Sequence, residues 1–164
     1  MDMLAILKED HDYILDLLRK IGLSVDAETR EQAEQEAGLF LQLRQSLETH
    51  MAGEEQFFYS ALEEDDAVRP RVIYAMEDHR RIKLFLGQMA ACTVHREWNA
   101  RFSLLREATE AHFAGEEIGL FGDAEHIFSI VQREELSRKI VAAEEEVFME
   151  YEWKQQRGRS GLPK

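Results

Sequence analysis

The sequence predicts an all-α protein: an up-down-up-down four-helix bundle with an additional C-terminal helix. Three observations carry this. Apolar residues recur every three to four positions in each segment between breaks. The chain has only two prolines, Pro70 and Pro163. The hexapeptide His50-Met51-Ala52-Gly53-Glu54-Glu55 returns as His112-Phe113-Ala114-Gly115-Glu116-Glu117 with a single change. A second echo, Glu9-Asp10-His11 and Glu77-Asp78-His79, precedes each hexapeptide by about a helix length. The chain therefore reads as a duplicated helix pair, with one lone histidine and one His-Glu pair in each half.

The first helix, roughly 3–21, aligns Leu4, Leu7, His11, Ile14, Leu15 and Leu18 on one face. The second, ending near Glu64, aligns Phe40, Leu43, Leu47, His50, Glu54, Phe57 and Phe58. The third starts near Pro70, a residue suited to a first helical turn, and aligns Val72, Met76, His79, Ile82, Leu86 and Met89. The fourth, from about Asn99, aligns Phe102, Leu105, Thr109, His112, Glu116 and Leu120. Far more residues precede His50 in its helix than follow His11 in the first. The polar stretch from Asp26 to Ala37 is thus expected to overhang the bundle or to form its own short helix. Residues 129–153 carry a further stripe of Leu136, Ile140, Ala143, Val147 and Tyr151, which must cover the bundle or pair with another copy. The expected division is a bundle over 1–125, an amphipathic C-terminal helix over 126–155 and a flexible, locally basic tail over 156–164.

Four histidines and two glutamates thus stand inside apolar stripes. A carboxylate on a buried helix face is costly unless a partner or a metal compensates it. On an α-helix, i and i+4 point the same way, so each hexapeptide offers an imidazole and a carboxylate to one ion or to two adjacent ones. In the bundle, Glu54 and Glu116 would face each other across the core and bridge two metals, one held by His11 and His50 and the other by His79 and His112.

A net charge of −13 speaks against nucleic acid and anionic membrane surfaces as partners. The single cysteine, Cys92, suits a reducing cytoplasm, and no apolar run approaches the ~18 residues of a membrane span.

On His11, the His50 and Glu54 pair, His79, and the His112 and Glu116 pair, the chain resembles the hemerythrin-like family of HHE cation-binding domains over about residues 4–121. The resemblance implies two iron ions with a bridging oxo or hydroxo group; His and carboxylate ligation alone also allows manganese or zinc. Oxygen-carrying hemerythrins place a second histidine where this chain has Lys83, and end on an Asp five residues after its His. The pattern is closer to the four-His, two-Glu members, which are associated with iron-centre repair, nitric oxide and oxygen responses, and iron sensing. The reading that follows is a non-haem diiron protein that binds or reacts with oxygen, nitric oxide or peroxide, as a monomer or homodimer, with oxidoreductase chemistry left open. The alternatives are iron storage, donation or sensing, and a metal-stabilised structural bundle.

Other residues are read more plainly. Glu55 and Glu117 are expected to be solvated or to receive imidazole N–H groups rather than to ligate. His95 falls in a connection and His126 beyond the glycine breaks at Gly119 and Gly122, both outside the site. Gly53 and Gly115 each carry the helix cost of glycine, either for close packing or to leave room for a small ligand beside each metal.

Overall fold

A computed structural model describes residues 1–23 and 29–160. Among the described residues every regular element is helical and no strand occurs. The first rod of the bundle is α1 (Met3–Leu23). The second joins α2 (Arg30–Gly53), a π-helical turn (Glu54–Tyr59) and α3 (Ser60–Leu62). The third is α4 (Arg69–Ala90), with Pro70 in its first turn. The fourth joins α5 (His95–Gly115), a second π-helical turn (Glu116–Leu120) and α6 (Phe121–Ile127). Helix α7 (Ile130–Ser160) then packs back against α1 and α2. No helix among the described residues is long and apolar enough to cross a membrane.

The stripes expected from sequence point inward, and the polar layer splits the core in two. On one side Ile14, Leu18, Leu47, Ile82, Leu86 and Leu105 pack together. On the other stand Met3, Leu7, Phe58, Leu62, Val72 and Leu120. Between these apolar blocks lie His11, His50, Glu54, His79, His112 and Glu116, all 3% exposed or less.

Four boundaries differ from the sequence reading. Arg30 to Ala37 is not a separate short helix but the start of the helix that carries His50, opened by a reciprocal capping box between Thr29 and Gln32. Residues 30–35 are exposed, whereas Glu36 is buried; residues 26–28 lie outside the described residues. The fourth rod begins at His95 rather than near Asn99. Its first turn is exposed, so the apolar period shows only from Trp98, whose ring meets Phe40 and Phe102. Gly119 and Gly122 do not break it, because Leu120 and Ala124 bury their side chains on either side and the chain turns extended only at Phe128. Helix α7 starts at Ile130, not 126, and runs past 155, so Arg157 stands on a helix rather than in a flexible tail.

The α7 stripe is covered by the chain's own bundle. Ile140 and Ala143 are buried and Leu136, Val147 and Tyr151 partly so. The Ser137 hydroxyl donates to the Met1 carbonyl at 2.8 Å, Arg133 pairs with Asp2 at 3.2 Å, and Tyr151 donates to Glu48.

Candidate metal centre

The hexapeptides place their residues as the i+4 spacing requires. His50 Nε2 lies 3.3 Å from Glu54 Oε2, and His112 Nε2 lies 3.5 Å from Glu116 Oε2. The lone histidines complete the layer: His11 Nε2 is 3.3 Å from Glu116 Oε2, and His79 Nε2 is 3.3 Å from Glu54 Oε2. Two sets of possible ligands result, His11 with His50 and His79 with His112, each including both Glu54 and Glu116. Within either set no two ligand atoms are more than 4.8 Å apart.

An outer ring of carboxylates orients the imidazoles. His11 Nδ1 donates to Glu117 at 2.9 Å and His79 Nδ1 to Glu55 at 2.8 Å. His50 Nδ1 stands 3.4 Å from Asp10, and His112 Nδ1 stands 3.6 Å from Asp78. Each Nε2 is thereby left with a lone pair turned inward, the tautomer a metal needs. Glu55 and Glu117 thus hold rings, as expected, and are themselves paired with Lys83 at 2.7 Å and Lys8 at 3.3 Å. Lys83 therefore belongs to this outer ring. Asp10 and Asp78, visible in the sequence only as part of the repeated tripeptides, have the same task. Phe113 replaces Met51 at the one variable position of the hexapeptide, and its ring stacks on His11 with centroids 3.8 Å apart.

Tyr59 escaped the sequence reading. Its hydroxyl donates to Glu116 Oε1 and lies 3.1 Å from His79 Nε2, inside the centre. It stands five positions after Glu54, which on an α-helix would turn it away. The π-helical turn brings i+5 to the place that i+4 occupies in an α-helix. The corresponding residue of the second half is Phe121, so the two candidate ligand sets do not have the same surroundings. His95 is exposed, and His126 is exposed with Nδ1 donating to the Gly122 carbonyl at 2.6 Å, so neither enters the centre.

The two core carboxylates are driven in opposite directions. Burial, and then repulsion from Glu116, pushes Glu54 well above the ordinary carboxylate range. Glu116 goes the other way, to about 2: burial opposes this, but the imidazoles of His112 and His11 and the Tyr59 hydroxyl outweigh it. Burial also lowers His50, and lowers His79 to about 4, so imidazoles there are neutral at physiological pH. It raises the Tyr59 phenol, with the charges of Glu54 and Glu116 adding to the effect. Outside the core, His79 and Lys83 outweigh burial and hold Glu55 down at about 2.

Buried polar atoms are ordinarily hydrogen-bonded. Here His11 Nε2, His50 Nε2, both oxygens of Glu54 and Glu116 Oε2 have no such partner. His79 Nε2 and His112 Nε2 come within 3.0 Å of each other although His79 has committed its Nδ1 to Glu55. Bare lone pairs converging from four imidazoles and two carboxylates fit a pair of divalent cations of intermediate softness.

The two repeated glycines divide the explanations left open by sequence. A Cβ on Gly53 would come within 3.0 Å of Ile140 and 3.2 Å of Glu144, so that glycine permits close packing of α7. A Cβ on Gly115 would meet nothing within 4 Å. Gly115→Ala should therefore raise stability by about 1 kcal/mol, the helix-propensity difference. Gly53→Ala should gain nothing or lose stability, and thermal melting of the two variants side by side checks the contrast.

Comparisons with curated proteins and with solved structures gave no match. The sequence profile of the hemerythrin HHE cation-binding domain matches residues 2–124, which takes in all four rods up to Ala124 and every residue of the layer just described, and stops short of α7. With three quarters of its length inside that match and its buried polar layer built for cations, the chain belongs to the hemerythrin HHE cation-binding domain family.

Proposed function

We propose that the chain holds two iron ions with a bridging oxygen and reacts there with small oxidants such as oxygen, nitric oxide or peroxide. One ion is held by His11 and His50, the other by His79 and His112, with Glu54 and Glu116 common to both. The observation that carries this reading is the sharing of both carboxylates between two histidine pairs, with Nε2 of His11 and His50 and three of the four carboxylate oxygens left without a hydrogen-bond partner. Bound iron would supply one-electron redox chemistry and open coordination positions for a small ligand. Around it the protein has clear tasks. The carboxylate ring fixes each imidazole and excludes the wrong tautomer. The apolar blocks above and below keep bulk water out of the layer. Tyr59 holds a proton on its hydroxyl beside Glu116, on one side of the centre only. Residues 1–125 make up the reactive unit in this reading, α7 is its cover, and the free Cys92 thiol fits a reducing cytoplasm.

Iron analysis of protein purified without added metal should give two ions per chain. After stopped-flow mixing of the reduced protein with oxygen, argon purging should not restore the reduced spectrum. Recovery over many cycles would make the protein a carrier, and absence of iron would remove the diiron reading. Tyr59→Phe should keep both ions while changing the visible spectrum of the oxidised protein, because it makes the two positions alike.

A further inference from the structure

The two halves of the centre are alike in ligands but not in cover. On the α1–α2 face, Ile140 and Glu144 of α7 fill the space beside Gly53. The groove farther along that face, about 630 Å³, reaches His50 but neither core carboxylate. On the equivalent α4–α5 face no helix takes the place of α7 among the described residues. A Cβ at Gly115 or Gly119 would meet nothing within 4 Å. The recess there, about 170 Å³, has Asp78 on one wall and His112 and Glu116 among its lining. Glu116 is 2% exposed, its Oε2 has no hydrogen-bond partner, and it belongs to both ligand sets.

We infer that this recess is the entrance through which small neutral molecules reach the centre, and that Gly115 and Gly119 set its size limit. The inference rests on the reading of the centre as a site for small oxidants. Size and charge both point the same way. A volume of about 170 Å³ has room for a handful of waters at ~30 Å³ each and falls below the ~300 Å³ at which ordinary small-molecule pockets begin. Molecules of up to about five heavy atoms therefore fit, and ordinary small-molecule substrates do not. Asp78 and Glu116 repel anions, and Arg71 at the rim is tied to Asp123 at 2.9 Å, which leaves uncharged ligands favoured. Close packing explains Gly53 but not Gly115, where the space is open.

Two measurements test the entrance. In full-length chain loaded with diamagnetic zinc, dissolved oxygen should relax the imidazole ring protons of His112 several-fold more than those of His50, although both rings are buried. Gly115→Val should remove that difference. In the iron-loaded chain, Gly115→Val and Gly119→Val should each slow nitric oxide association at least tenfold with iron content unchanged, while Gly87→Val, in open space elsewhere on α4, leaves the rate as it was. Equal oxygen relaxation at both histidines, or unaltered association in both recess variants, overturns the entrance. If the unaltered chain binds no iron, the functional reading fails instead, and the oxygen measurement, read on the zinc-loaded or metal-free chain, still decides the path.

Discussion

Alanine at His112 should remove metal and stability together. The ring is 3% exposed, so its loss leaves Glu116 facing a void with one imidazole fewer to compensate it. Breaking a buried charged partnership in this way costs about 3–5 kcal/mol. For a chain of this size that is roughly a 10 °C fall in melting temperature. Metal should fall below two ions per chain in the same variant, because binding energy at such a centre is also folding energy. His50→Ala should behave alike, since its ring stands in the same relation to Glu54. Metal analysis alongside thermal unfolding reads both effects. Full metal content with unchanged melting in both variants would show that these histidines are core residues and nothing more.

Truncation after Ser129 should do the reverse, costing stability while sparing metal. It removes the whole of α7, and with it the burial of Ile140 and Ala143 and the half-burial of Leu136, Val147 and Tyr151. A fully buried Ile is worth about 1.5–3 kcal/mol, so the stripe together outweighs the loss of any single ligand. The bond from Ser137 to Met1 and the pair of Arg133 with Asp2 go as well, which loosens the start of α1. None of the six candidate ligands lies beyond residue 129, and the family match ends at residue 124. A folded truncated chain that had lost its metal would show that the Glu144 contact near Asp10 and His50 supports the centre more directly than its position implies.

The sequence told most where its period and its polar exceptions disagreed. His11, His79 and the two His-Glu pairs stood out because each interrupted an apolar stripe, and all six converge on one layer. Tyr59 did not stand out, since α-helical spacing from Glu54 turns it away from the apolar stripe. Its role depends on a π-helical turn that no local propensity announces. Asp10 and Asp78 were visible as a repeated pattern, but their task appears only when α2 and α5 bring His50 and His112 alongside. The start of the fourth helix was misplaced because the exposed first turn from His95 has no apolar period to read. The glycines illustrate the limit most clearly: identical neighbours, identical helix positions, and yet one is packed under α7 and the other is open.

The crossed bonds of the outer ring bear on how such a molecule can be divided. The lone histidine of the first half is steered by Glu117 of the second, and that of the second half by Glu55 of the first. A polypeptide with only one lone histidine and one hexapeptide would lack a steering group and one of the two shared carboxylates, and two such molecules in two-fold register would supply both. In a dimer of that kind every substitution appears twice. Joining the halves into a single chain lifts that restriction, so a phenol can stand opposite a phenyl ring, and a roof can close one side while the other remains a door.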